Sequence, residues 1–322
     1  APRAAAAAAA AAASAEPHAP PSDLKTATAH TRVYSTWEVI RGMKHDETSY
    51  FMLFLHAVAL ATVLFYPLTT RGAVLLGVSY AVRMWVVTCG YHRYFSHRSF
   101  KTRRWFQALL GALCCAAGQR GPVWWASMHR HHHRHSDGEQ DAHSPRHGFL
   151  WSHMGWFMCA DTYNSMREKE VPDWLNEKKY PELRWLDDRH HLFFLGSAVV
   201  FGALWGLDGL LWGFAVSCIL SNHASYGINS LVHVMGSRRF ESGDDSRNCW
   251  WFALLTHGEG WHNNHHAFPS SARQGLRWFE VDFTYYTLLM LEKLGIVWDL
   301  KSPSQAQIER KLLKNQGVAA SA

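Results

Sequence analysis

The chain has 322 residues, 48% hydrophobic and 14% aromatic, with 16 Trp and a formal charge of +6, yet its mean hydropathy is only −0.19. That mixture excludes a protein hidden wholly in lipid and suits a few membrane-crossing segments under a substantial polar cap. The positive charge does not indicate nucleic acid, because no basic run is interleaved with stacking aromatics; it fits a face turned toward membrane lipids or a phosphate-bearing substrate.

Residues 1–22 are rich in Ala, Pro and Ser, with no acid before Glu16. Such low complexity cannot build a core, so residues 1–49 read as a disordered N-terminal segment and pre-membrane region, 50–300 as the functional domain and 301–322 as a tail. Four apolar stretches follow in two pairs, 50–68 with 73–90 and 192–206 with 209–226, each pair joined by a short turn. Stretches of this length are marginal for crossing about 30 Å of hydrocarbon at about 1.5 Å per residue. The short turns make each pair a hairpin, so the fold class expected is an all-α membrane protein with four transmembrane helices under a helical cap. Residues 106–118 are apolar but too short to span. Of the 32 Lys and Arg, only Arg71 falls in a far-side turn and only Arg83 within a span. The rest lie in 1–49, 91–191 and 227–322, which puts both termini and the cap on the cytosolic or stromal side. The six Cys have no CxxC spacing and read as reduced, buried thiols.

Histidine carries the chemistry. The chain holds 22 His, clustered as HRYFSH at 92–97, HRHHH at 129–133 and HNNHH at 262–266, with NSLVH at 229–233 after the last apolar stretch. In H-x-x-H-H the residues i, i+3 and i+4 share one helical face, so three imidazoles can converge. Five residues turn a regular helix by about 140°, so His92 and His97 should point apart unless the helix ends between them. The set His92, His97, His129, His132, His133, His233, His262, His265 and His266 is too large for one zinc and suits two metals with four or five imidazoles each. Imidazole alone does not choose among zinc, copper, iron and nickel. Competing metal motifs fail: HExxH is absent, and the only E-x-x-H, Glu259 to His262, lies between glycines. Glu259, Asp137 and Asp141 read instead as carboxylates that orient ligand imidazoles. The remaining His, among them His56, His143, His153 and His223, read as structural.

Taken together, GYHRYFSHRSFKT, HRHHHRHSD, DAHSPRHGFLWSHMGW, NSLVH and GEGWHNNHHAFPSSARQG resemble the membrane fatty acyl desaturases, in particular delta-9 desaturases of bacterial, plant and algal type, over about residues 50–300. The resemblance implies that the nine histidines hold two iron ions and that Asn229 contacts one of them through a water. It implies a reaction in which O2 and two electrons convert a saturated acyl chain to a cis alkene, with Gln119 and Trp125 lining the acyl tunnel and Leu76 and Tyr80 closing its far end. It further implies a fatty acyl-CoA or lipid-linked substrate, a separate electron donor of the cytochrome b5 or ferredoxin kind, and the endoplasmic reticulum as membrane, with a chloroplast membrane as alternative. One departure stands out. Animal acyl-CoA members carry Arg-Asp just before the second histidine cluster, where this chain has Ser127 and Met128, which puts the animal-type coenzyme A contacts in doubt. Two other readings stay open at this point: a related di-iron acyl hydroxylase, and a histidine-rich metal transporter, which would need ionisable ligands inside the membrane.

Overall fold

The computed structural model describes residues 33–43, 47–159, 173–175 and 178–312; the low-complexity start and the last part of the tail lie outside them. The described chain is mostly helical. Helix α1 (Thr36–Arg41) opens on a capping box, Ser35 accepting from the Glu38 amide while the Glu38 carboxylate accepts from Ser35, which satisfies two of the backbone donors a helix start leaves open. Helix α2 (Glu47–Phe65) is apolar along its length. A short turn leads to α3 (Thr70–Trp85), capped by the Thr69 hydroxyl accepting from Gly72. Helix α3 runs without a break into a π-helical segment, Val86–Ser96.

Two continuous helical runs, Thr70–Ser96 and His190–Ser230, are long and apolar enough to cross a membrane, and Ser49–Phe65 is a shorter apolar helix. The second run is not straight. Between α8 (His190–Asp208) and the π segment Gly209–Val216 that leads into α9 (Ser217–Ser230), Gly206 adopts φ 60° and ψ −143°, a conformation that only glycine reaches without strain. The chain folds back there, so that the Phe201 ring packs against Gly213. The two hairpin turns meet at one end of the molecule, where Asp208 accepts from the Thr69 hydroxyl and from Arg71 Nε, each at 2.9 Å. Both pairs fold back at their turns, but differently: the second packs as a closed hairpin, while the first is open, its two helices each packed against the Gly209–Val216 segment instead of along each other.

Helices α4 (Arg104–Ala117), α5 (Pro122–His135) and α7 (Pro181–Asp188) belong to the opposite end. The main core joins this cap to the first hairpin through Met84, Tyr91, Phe95, Leu110, Cys114 and Leu183. A two-residue antiparallel pair, Lys101–Thr102 with Val297–Trp298, ties the exit of the π segment to the C-terminal part. All six cysteines are buried and free.

Candidate metal centre

The first histidine cluster corrects the sequence expectation in an instructive way. The helix does not end between His92 and His97. It widens: the His97 amide donates to the His92 carbonyl at 3.2 Å, an i to i+5 bond characteristic of a π-helix. One turn then takes about five residues, so the two imidazoles share one face and meet edge to face, with ring centroids 4.9 Å apart. Gly90 sits in the same segment, where a Cβ would come within 2.5 Å of Cys114 Sγ; the widened helix can press against α4 only because that position carries no side chain.

Helix α5 begins at Gly121 with Pro122 in its first turn and carries the second cluster. His129 and His133, one turn apart, face His92 and His97, while His132 faces the other way. Helix α11 (His262–Ala267) divides its imidazoles similarly, and His233 follows the end of α9. The outcome is two adjoining groups. In one, nitrogens of His92, His97, His129, His133 and His265 lie within 4.8 Å of one another; in the other, those of His132, His233, His262 and His266 do. Nε2 atoms approach to 2.9 Å for His92 and His265, 2.8 Å for His97 and His129, 2.8 Å for His133 and His265, and 3.0 Å for His233 and His262.

The outer nitrogens explain why the inner ones point inward. His92 Nδ1 lies 2.6 Å from Glu259, His132 Nδ1 2.9 Å from Asp141, His233 Nδ1 2.8 Å from Asp137 and His266 Nδ1 2.5 Å from Asp244. A carboxylate only accepts, so each Nδ1 carries the proton and each Nε2 presents a lone pair to the centre. His266 Nε2 is buried and has no hydrogen-bond partner among the described residues. Burial, followed by the charges of neighbouring imidazoles, holds His129, His133, His262 and His265 well below the ordinary histidine range, which keeps the rings neutral, the form that binds a metal. Nine imidazoles whose nitrogens converge on two points fit a pair of metal ions.

Of the supporting residues, Glu259, Asp137 and Asp141 stand against ligand-type histidines where the sequence placed them. Asp244 and Arg93 were not legible. Asp244 lies in a Ser-Gly-Asp-Asp loop that looks like solvent-facing sequence, and Arg93 looks like a surface charge beside His92. Arg93 is in fact buried, paired with Glu259 at 3.2 Å and with Asp282 at 2.9 Å. The expectation that His56 and His223 are structural finds them bonded to each other, Nε2 to Nε2 at 2.9 Å, with His153 beyond.

Beside the first histidine group lies a cavity of about 110 Å³ whose wall includes Gln119, Trp125, His129, Tyr226 and Asn229. Gln119 accepts from Trp125 Nε1 at 3.1 Å and donates to Asn222 at 3.2 Å, fixing the Gln119 and Trp125 side chains. Leu76 and Tyr80 stand elsewhere: Leu76 packs with the Trp212 cluster, and the Tyr80 hydroxyl donates to the Leu255 carbonyl at 2.8 Å.

The fatty acid desaturase family model matches residues 69–290, a stretch that contains both histidine groups and all four carboxylates. The chain belongs to the fatty acid desaturase family. It is 39% identical to a protein named delta-9 acyl-lipid desaturase 2 from Arabidopsis thaliana over 226 residues, 70% of this chain and 73% of that one. It is 39% identical to an sn-1 stearoyl-lipid 9-desaturase from Anabaena variabilis, covering 69% of this chain and 80% of the relative. A chloroplastic palmitoyl-monogalactosyldiacylglycerol delta-7 desaturase from Arabidopsis thaliana is also 39% identical, over 70% of this chain but only 60% of the relative's length.

Proposed function

We propose that the protein is a membrane-embedded acyl-lipid desaturase that places a cis double bond, at the delta-9 position, in a saturated acyl chain. The observation that carries this reading is the division of nine histidines into groups of five and four beside the cavity bearing Gln119 and Trp125. The overall change removes two hydrogens from adjacent methylenes; O2, two electrons from a separate one-electron protein donor and two protons complete it, and two waters leave. An unactivated methylene has no acidic proton, so acid–base side chains cannot begin the reaction, and two bound iron ions would supply the oxidising chemistry.

The chain's residues supply everything else. His92, His97, His129, His133 and His265 would hold one iron, and His132, His233, His262 and His266 the other. Glu259, Asp141, Asp137 and Asp244 keep the protons on Nδ1 and the lone pairs inward. Asn229, in the cavity wall, offers an amide suited to holding a water at the place a fifth imidazole would take in the four-histidine group. Trp125 and Gln119, locked to each other, orient the acyl chain, and the surrounding Trp156, Phe157 and Tyr226 exclude water from it. Ser127 and Met128, where animal acyl-CoA members carry Arg-Asp, favour a lipid-linked substrate over acyl-CoA. The two apolar hairpins support four spans, with the basic cap and both termini on the cytosolic or stromal side.

The test is product analysis with labelled stearoyl lipid and stearoyl-CoA in membranes holding the protein, an electron donor and iron. A 9-monoene from the lipid is the expected result. Hydroxylated product, or activity that survives with zinc in place of iron, would overturn the reading.

A further inference from the structure

On the far side of the third histidine cluster lies a second pocket, of about 540 Å³, that the desaturase reading does not use. Arg238, Arg239, Arg277, Trp250, Trp261 and Phe279 are in its wall. Its charge is only partly neutralised from within: Arg238 donates to the Asp244 carbonyl at 2.6 Å and stands 3.9 Å from Asp245, and the charge left for a ligand is that of the other two guanidinium groups. Arg239 Nε and Nη1 are buried and have no hydrogen-bond partner among the described residues. The nearest carboxylate, Glu280, stands 3.9 Å from Nη1, too far for a hydrogen bond. Glu280 is already engaged, accepting from Asn264 Nδ2, the Leu276 amide and the Arg277 amide at 2.8 to 3.0 Å. Arg277 lines the same wall; burial, and next the like charge of Arg277, pull the Arg239 guanidinium below its ordinary range against the opposing pull of Glu280.

The rim of the pocket says what kind of anion belongs there. Helix α10 (Trp250–Leu255) is held against the side of α3 by the Tyr80 hydroxyl bond to Leu255, and Trp85 of α3 donates to Thr287 of α12 (Phe283–Lys293) at 2.6 Å. Both short helices therefore flank a run apolar enough to cross a membrane, near its cap end. Around the pocket Trp250 is 66% exposed, Trp278 89% and Phe279 50%, large aromatics of the kind that settle at the headgroup level of a bilayer. A forked guanidinium pair beneath an aromatic rim matches a phosphate bonded through two oxygens.

We propose that this pocket binds the phosphate of an anionic phospholipid headgroup, and that its occupancy steadies the segment carrying His262, His265 and His266. The proposal rests on the membrane-embedded reading above but not on the reaction. The coupling is direct. The amides of Arg239 and Phe240 both donate to Asn263 Oδ1 at 2.8 Å, Asn248 donates to Asn264 at 2.8 Å, and Trp261 immediately precedes His262. A phosphate held by Arg239 and Arg277 thus bears on the backbone that sets three metal-binding imidazoles.

Thermal unfolding of the iron-loaded full chain in detergent tests this. Phosphatidylglycerol should raise the midpoint by several degrees, while phosphatidylcholine and inorganic phosphate at equal concentration should not. Arg277→Gln and Arg239→Gln should each weaken the apparent lipid affinity by about tenfold, the loss expected for one charge-assisted contact. Arg239→Lys, which keeps the charge and loses the fork, should fall between and guards against a merely misfolded glutamine variant. An equal shift with phosphatidylcholine, an equal shift with inorganic phosphate, or variants that respond as the native protein does would each overturn the proposal. None of these readouts depends on turnover, so a failure here leaves the desaturase reading standing, and the reverse.

Discussion

Asp244→Asn is the most direct probe of how the centre is held. Asp244 Oδ2 accepts a hydrogen bond from His266 Nδ1 at 2.5 Å, while Oδ1 accepts from the Ser242 hydroxyl at 2.7 Å and from the Ser246 amide at 3.1 Å. Burial works against this charge, but His266 and the serines outweigh it and hold the carboxyl far below the usual range. Asparagine has one acceptor oxygen for two sets of donors. If it serves the serines, its NH2 faces His266 Nδ1 and drives the ring's proton onto Nε2, the atom that must stay bare. Losing such a support typically costs 10- to 100-fold in metal affinity, or roughly 1.4 to 2.7 kcal/mol. Iron release to a competing chelator should therefore occur at about 10- to 100-fold lower chelator concentration than in the native protein, with about half the iron leaving first because only the four-histidine group is weakened. Ser242→Ala, which removes one donor and no charge, should change release far less. Unaltered release in Asp244→Asn would refute the argument that the carboxylate sets the tautomer.

Other outcomes follow from the same geometry. His233→Ala should lose both iron and activity, whereas Asn229→Ala should keep most of its iron and lose about 10-fold or more in turnover; equal iron loss in both, measured per folded chain, would make Asn229 a direct ligand. Asp137 is opposed by burial but pulled down to about 2 by His233 and the donors around it. Its folded pKa lies below the unfolded value near 4, so its contribution to stability is complete above about pH 4 and is lost as pH falls toward 2; acid unfolding of Asp137→Asn should lack that component. Tags at the two termini should report one side of the membrane and a tag beside Arg71 the other; termini on opposite sides would refute the two-hairpin arrangement.

Much of this was legible because the signals are local. The H-x-x-H-H spacing places three imidazoles on a face whatever surrounds it, and apolar runs with short turns make hairpins. What stayed hidden depends on contacts between distant segments. No rule of helical spacing announces that 86–96 adopts i to i+5 bonding, since the widened turn is set by packing of Gly90 against Cys114 and by the demand that His92 and His97 face one point. Asp244 joins His266 only after the 237–248 loop folds over α11, and Arg93 is buried only because Glu259 and Asp282 arrive from 160 or more residues away. The resemblance puts Tyr80 at the far end of the acyl tunnel; its hydroxyl bond to the Leu255 carbonyl joins segments far apart in the sequence, which no local rule announces.

The unbroken passage from α3 into the π segment also makes this helix a depth gauge. Thr70 sits at the end where the hairpin turns meet, and His92 is carried rigidly at a fixed height above it, with no loop to absorb a change in length. The length of this run therefore sets how far the five-histidine group stands from the turn end of the molecule. One residue inserted or removed between Thr70 and Val86 would raise or lower that group by about 1.5 Å, a step comparable to one carbon of an acyl chain, and would also swing His92 around the helix.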